Sequence, residues 1–437
     1  MQKVAMILSS VVHLCVRMGI VPAQARRLDK VIIWVQLATG TKMISCQSRS
    51  YGYSDAQLGR LLNCESLAGR ATGYVICRQT NYCFEPDSSP HYFSSVLSPR
   101  HLVATLQSSR TRVKSGERID AIYIPTRGRP NYLLKILADL NNMQSVVCIL
   151  PSVASDLPAS ILAKPNTYRV LWFAGDSVFT QIFRSLNCTS NPLSTPSPSV
   201  WDLPIKRNYA LWHANKHGYR RILLVDDDIR GMTEEQLSIG AIALSNYTIA
   251  GLFVQYFPDT SLVGHAAIRI GEHLQPFLSG SCLFIRADLA TGLFPPIYNE
   301  DWIYMAYEIE KGAVCSLGSI EQEIYDPFYR TDAAVFQEPG EVIADGLFVL
   351  LDRRRFQDRF SPDFWAAFIR KRVAWLEYLR RRVYEPDHRV AIGEALSRCT
   401  EITPEQCVSF ILDYEQDRVK WRSALEELRN GKIRHGS

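Results

Sequence analysis

The hydrophobic and polar positions of this chain fall into two regimes. From Asp120 to about residue 350, short apolar runs alternate with segments whose apolar residues recur at helical spacing. Residues 121–126 form an apolar run leading into Pro125-Thr126-Arg127-Gly128-Arg129-Pro130, which predicts a strand followed by a loop. Helical spacing marks 132–140, a second strand 145–150, a second helix 157–163 and a third strand 168–174. A loop rich in Ser, Pro and Thr covers 187–200, and Pro204 then opens a helix over 205–216 that stops at Gly218. A strand over 221–225 comes next. Thr233 starts a Thr-x-x-Gln capping box, so a helix is predicted over 233–244. Strands over 249–256 and 282–285 and a helix over 301–311 complete this region. Repeated strand–helix units predict an α/β fold with a mainly parallel sheet, right-handed crossovers and flanking helices.

Beyond Leu351 the pattern becomes charged and amphipathic, predicting helices over 364–383, 390–398 and 404–429. These form an expected C-terminal helical subdomain, 351–437, behind a central domain over 118–350. Residues 1–117 read as an additional N-terminal region of unassigned role. It has an apolar start, Ser/Tyr/Gly/Cys-rich stretches at 48–53 and 74–83, and a polar linker at 108–117. No internal repeat is present.

Composition changes this picture little. The chain is 47% hydrophobic and 21% charged, as expected for a soluble globular protein of 437 residues. The net charge of +5 suits anionic small ligands and does not demand a nucleic-acid partner. Arg353-Arg354-Arg355 and Arg380-Arg381-Arg382 make the C-terminal helices basic, a candidate contact with a membrane surface or a protein. The 11 cysteines show neither a CxxC pair nor a zinc spacing, so buried free thiols in a reducing, cytoplasmic setting are expected. Lys3, the apolar run 4–16 and Ala23-Gln24-Ala25 imitate a secretory signal. Arg17 interrupts that stretch, which is too short to span a bilayer, so an ordinary N-terminal helix is expected. The sequons at Asn187 and Asn246 carry little weight.

The chemistry concentrates at Arg221-Ile222-Leu223-Leu224-Val225-Asp226-Asp227-Asp228, where a buried strand ends in three carboxylates. Like charges so placed repel, and a divalent cation with a phosphate ligand would relieve them. Open α/β sheets bind ligands at the carboxyl ends of their strands. Mn2+ or Mg2+ takes one or two carboxylates plus phosphate oxygens, with Asp226 and Asp228 spaced to serve. The alternative is a set of turn or cap charges ahead of Thr233. The loop from Pro125 to Pro130 offers a hydroxyl (Thr126), backbone amides and the guanidiniums of Arg127 and Arg129 for a base, ribose or diphosphate. Lys206-Arg207-Asn208 sets cations near a helix start, which favours a nearby anion or else a solvated face. In Asn299-Glu300-Asp301-Trp302 a carboxylate caps a helix or takes the proton of an acceptor hydroxyl. His265 and His273 read as structural hydrogen-bonders, and Gly280-Ser281 as a place of close approach.

Taken in order, these pieces resemble the GT-A-fold glycosyltransferases, in particular the family 2-like group. Ile124-Pro125-Thr126-x-x-Arg129-Pro130 resembles the nucleotide-contact motif of the first strand. Lys206-Arg207-Asn208-Tyr209-Ala210 followed by Leu224-Val225-Asp226-Asp227-Asp228 resembles the R-N-x-A helix and DxD strand, and Asn299-Glu300-Asp301-Trp302 the later ED motif. The likeness covers roughly residues 120–345. It implies a GT-A-like fold and transfer of a sugar from a UDP- or GDP-sugar to an acceptor hydroxyl on a glycan, lipid, peptide or small molecule. Pro125, Thr126, Arg127, Arg129, Arg207, Asn208, Asp227, Gly280 and Ser281 would then surround the nucleotide sugar. Asp226 would meet ribose and metal, Asp228 the metal, and Asp301 with Glu300 beside it would be the base. A downstream histidine ligand, common in that family, has no convincing counterpart in His265 or His388, and Arg330 could stand in at the diphosphate. Two rivals remain: a sugar-nucleotide binding or scaffold protein without catalysis, and a sugar nucleotidyltransferase. The single Gly128 between arginines is poor in glycine for the latter.

Overall fold

The computed structural model describes residues 30–37, 40–47, 78–79, 99–106, 117–141, 143–163, 167–194, 198–255, 261–272, 277–290, 292–324 and 326–431. Contacts divide the chain into Met1–Ser88 and Ser89–Ser437. In the first unit, β1 (Lys30–Leu37) pairs antiparallel with β2 (Gly40–Gln47), from Lys30↔Gln47 to Leu37↔Gly40. The short β3 (Arg78–Gln79) lies on the other side of β1. The apolar run 4–16 and the Ala23-Gln24-Ala25 site lie outside the described residues.

The second unit is built on one mixed, mainly parallel sheet. Its strands are β4 (Ala104–Thr105), β5 (Ala121–Thr126), β6 (Val146–Pro151), β7 (Arg169–Val170), β8 (Arg221–Val225), β9 (Ile229–Arg230), β10 (Ile249–Gln255), β11 (Leu278–Arg286) and β12 (Val314–Gln322). The order is β4-β12-β10-β11-β8-β5-β6-β7, with β9 paired to β12. β5 runs parallel to β6 and β8, and β10 parallel to β12, whereas β11 is antiparallel to both its neighbours. Side chains alternate across the pleat as strand geometry requires. Tyr123, Ile222 and Leu224 enter one apolar cluster, and Ile122, Ile124, Leu223 and Val225 enter the other. Both faces are therefore covered, as a parallel sheet demands.

The helices are α1 (Pro130–Asp139), α2 (Ala159–Leu162), α3 (Ser177–Arg184), α4 (Pro198–Lys216), α5 (Glu234–Ala243), α6 (Leu262–Arg269), α7 (Glu300–Glu310), α8 (Ala333–Asp352), α9 (Pro362–Arg382), α10 (Pro386–Glu401) and α11 (Pro404–Arg429). The capping box of α5 forms: Gln236 N–H donates to Thr233 Oγ1 at 3.2 Å, and Thr233 N–H to Gln236 Oε1 at 2.9 Å. None of the described helices is long and apolar enough to cross a membrane. Cys148, Cys188, Cys282, Cys315, Cys399 and Cys407 are free and buried.

Several expectations need correction. The third strand shortens to β7, an edge strand paired only with β6, and Phe173–Gly175 turns into a 3-10 helix. Short edge strands limit the unpaired backbone a sheet presents. α3 lies between the third strand and the Ser/Pro/Thr-rich loop, in a stretch given no element from sequence, and is capped by the Asp176 side chain accepting Phe179 N–H at 3.0 Å. α4 begins at Pro198 rather than Pro204, which lies inside it. β12 and α8 were not anticipated. α8 contains Pro339, Gly340 and Gly346, residue types that weaken a helix in isolation. The two glycines instead permit close packing: a Cβ at Gly340 would overlap the Tyr298 main chain, and one at Gly346 the Trp365 indole.

The expected C-terminal helical region is present as α9, α10 and α11, and it shares its core with the sheet. One apolar cluster joins Tyr123 and Trp212 to Phe294, Tyr304, Trp365, Trp375 and Trp421. Asp417 of α11 is fully buried and accepts the amides of Asn187 and Cys188, each at 2.8 Å. The C-terminal helices are thus part of the wall behind the sheet.

Candidate active site

β5 and β8 are adjacent and parallel, so the loops after them share one edge of the sheet. After Val225 the chain turns, with Ile229 N–H donating to Asp226 O at 3.2 Å. The turn is held from behind: Glu323 N–H donates to Asp228 O at 2.9 Å, and Arg230 Nη1 to Asp227 O at 2.8 Å. Its carboxylates meet the first-strand loop. Thr126 Oγ1 donates to Asp227 Oδ2 at 2.7 Å, while Arg129 reaches Asp228 Oδ2 at 2.6 Å and Asp227 Oδ1 at 2.5 Å. Below them Lys206 of α4 ties the loop to the helix, donating to Thr126 O at 2.8 Å and Ser152 Oγ at 2.6 Å, beside Asp202 at 2.5 Å. Asp156 accepts the Gly128 amide at 2.7 Å.

A second set of charges comes from α4, β11 and α7. Arg207 donates to Glu300 Oε1 at 2.5 Å and to Asp226 Oδ2 at 3.2 Å. It lies against Gly280, where a Cβ would overlap the guanidinium. Only glycine admits Arg207 there, so the close approach that Gly280 allows in this structure is that of the chain's own arginine. Asp301 accepts two backbone amides: Gly280 N–H on Oδ2 and Trp302 N–H on Oδ1, the latter at 2.8 Å.

These groups surround a cavity of about 250 Å³. Of the residues singled out from sequence, Arg129, Arg207, Asp226, Asp228, Glu300 and Asp301 line it. Pro125, Thr126, Arg127, Asn208, Asp227, Gly280 and Ser281 do not. Pro125 and Thr126 remain within the buried strand β5, and Arg127 is exposed. Asp227 is fully buried and supports Arg129 from behind. Asn208 is committed elsewhere: its Nδ2 donates to Phe294 O at 2.7 Å and its Oδ1 accepts Phe294 N–H at 2.9 Å. Ser281 is buried and hydrogen-bonds Ser279.

The distant candidates stay distant. His388 stacks on Phe328 with ring centroids 3.7 Å apart, and Arg330 pairs with Asp332 at 3.1 Å. His265 sits on α6 and does not line the cavity, and His273 lies outside the described residues. Sequence reasoning missed Leu203, Pro204, Ser279, Ile297, Tyr298 and Gln322 of the lining. No local pattern marks them, since they meet only because strands and helices far apart in the chain converge.

Five carboxylates (Asp226, Asp227, Asp228, Glu300, Asp301) face two guanidiniums, leaving surplus negative charge. Burial pushes the Asp227 carboxyl up to about 7, against the pull of Arg129 and Thr126 and with the push of Asp228 and Asp226. Burial likewise raises the Glu300 carboxyl, opposed by Arg207. Asp228 Oδ1 is buried and accepts no hydrogen bond. Among the described residues no three His, Cys, Asp or Glu side chains form a preformed metal centre. The donor set nevertheless fits Mg2+ or Mn2+, which bind through one or two carboxylates with substrate phosphates completing the shell.

No protein-family model and no curated protein matches the chain. Among solved structures it is similar to one described as a nucleotide-diphospho-sugar transferase from Desulfovibrio desulfuricans G20. Identity there is 12%, TM-score 0.29, covering 61% of this chain and 100% of that one. It is similar also to mannosyl-3-phosphoglycerate synthase from Rubrobacter xylanophilus (12% identity, TM-score 0.34, 55% of this chain, 76% of that one). A third is mouse xyloside xylosyltransferase 1, at 10% identity and TM-score 0.26, covering 39% of this chain and 67% of that one. None of these likenesses is close enough to place the chain in a family.

Proposed function

We propose that the protein is a glycosyltransferase that moves a sugar from a nucleoside-diphosphate sugar to an acceptor hydroxyl. The observation that carries this reading is the convergence of Asp226, Asp228, Glu300 and Asp301 with Arg129 and Arg207 around one cavity beside the carboxyl ends of β5 and β8. Arg129 and Arg207 supply fixed positive charge for a diphosphate. Asp226 and Asp228 would hold Mn2+ or Mg2+, which when bound offsets charge growing on the departing nucleoside diphosphate. Asp301 takes the acceptor proton as the hydroxyl oxygen bonds the sugar carbon and the bond to the diphosphate oxygen breaks. Each Asp301 oxygen keeps a free lone pair beyond the amide it accepts.

One observation favours a second reading, a protein that binds sugar nucleotides without turnover. Both Asp301 oxygens already serve backbone amides, as a structural cap does. Calorimetry with UDP and GDP, with and without Mn2+, followed by donor turnover across an acceptor panel, separates the two. A transferase shows Mn2+-dependent binding and turnover. In Asp301→Asn turnover falls by about 10²–10⁴-fold while nucleotide binding persists. Absence of any nucleotide binding sinks both readings, and binding without turnover leaves the second.

A further inference from the structure

Glu300 and Asp301 are presented to the cavity by a turn with an unusual backbone. Asn299, the residue before α7, has φ 58° and ψ 32°. This is the left-handed region, where Asn is tolerated better than most side chains but only glycine is unstrained. Such outliers persist where the surroundings over-determine them. The Asn299 side chain does not cap α7. Its Nδ2 donates instead to Glu341 Oε1 of α8, at 3.1 Å.

Behind Glu341 stands a charge cluster that the proposed chemistry does not use. Arg372 of α9 is wholly buried. Its Nη2 donates to Glu341 Oε2 at 3.1 Å, its Nε and Nη2 to Glu338 at 2.8 and 2.9 Å, and its Nη1 to Asp345 at 2.9 Å. Three carboxylates around one guanidinium are a poor way to gain stability, because apolar replacements of buried ion clusters are often neutral or better. The cluster does supply direction. A planar fork with fixed donors sets the orientation of each carboxylate it holds. At the same place α8 meets the turn main chain to main chain, since a side chain at Gly340 would overlap Tyr298. Tyr298 and Asn299 both line the cavity.

We propose that Glu341 is a positioning residue: oriented by Arg372, it holds Asn299 in the left-handed turn and so sets Glu300 and Asp301 against the cavity. Only the catalytic consequence of this role rests on the glycosyltransferase reading. The physical role is tested without any substrate, by hydrogen exchange. The amides of Gly280 and Trp302 both donate to Asp301, and that of Ile303 to Asn299 O, so they report where the turn sits.

In Glu341→Gln these amides should exchange at least about tenfold faster, with α9 and α10 protected as in the wild type. Asn299→Gly removes the amide held by Glu341, accepts φ 58° without strain and leaves the arginine cluster untouched. It should give the same local loosening, and it decides the matter if Glu341→Gln does not fold. Unchanged exchange at the three amides in Asn299→Gly, or loss of protection spread evenly through α8 to α10, overturns the proposal. Where the wild type turns over a donor, both variants lower kcat by on the order of tenfold or more with the donor KM held within about twofold. A wild type that binds no nucleotide defeats the glycosyltransferase reading alone, since the exchange result still decides the positioning role.

Discussion

Asp228→Asn is expected to remove the divalent-cation dependence of UDP or GDP binding while leaving the fold in place. Asp228 lines the cavity, and its Oδ1 is buried without a hydrogen bond, an open acceptor where a cation would gain most. The substitution keeps the shape and removes the charge. Its main-chain carbonyl still accepts Glu323 N–H at 2.9 Å, so the turn remains tied to the segment after β12. Arg129 retains Asp227 at 2.5 Å and need not move. Losing one of two carboxylates from a cation site should weaken Mn2+-dependent affinity by about 100-fold or more, roughly 3 kcal/mol. Calorimetry of both nucleotides, with and without Mn2+, measures this, and thermal unfolding checks the fold. Equal affinity in variant and wild type would remove Asp228 from the cation site and leave its carboxylate as a partner of Arg129.

Arg207→Met should be the most destabilising change in the site. The side chain is only 4% exposed and bonds Glu300 and Asp226 together. Methionine keeps much of the volume beside Gly280 but strands Glu300 in a buried place with no cation. Breaking one side of a buried pair costs about 3–5 kcal/mol, since the remaining charge is left uncompensated. Glu300 is already pushed toward its neutral form by burial, and without Arg207 it moves further that way. Adding Glu300→Gln should therefore recover part of the loss. Urea unfolding of the two single variants and the double variant gives the coupling between the residues. Strict additivity would mean that the ion pair contributes nothing to the fold.

Local rules account for much of what the sequence made legible. β5 and β8 were readable because a short apolar run broken by Pro, Gly or charge has few other uses. α5 was readable from its reciprocal Thr233–Gln236 cap, and α11 from Pro404 and a long amphipathic pattern. α8 escaped notice for the opposite reason. Gly340 and Gly346 weaken a helix in isolation, but here they let it approach Tyr298 and Trp365, a benefit that exists only between elements. The site divided along the same line. Asp226 and Asp228 stood out as charges at a strand end, whereas Asn208, in a motif of the same clarity, turned out to clamp Phe294.

The chain by itself determined where strands end in carboxylates, which helices are capped, and that the sheet must be covered on both faces. Those features follow from neighbours within a few residues, where periodicity and turn chemistry act. Only the tertiary structure decided that Arg129 spans two aspartates, that Arg207 needs Gly280 to reach Glu300, and that Glu341 grips Asn299. These partners are separated by tens of residues or more along the chain. Charge pairing and steric fit leave no periodic trace at such distances, so the contacts appear only once the sheet and the C-terminal helices have closed around the cavity.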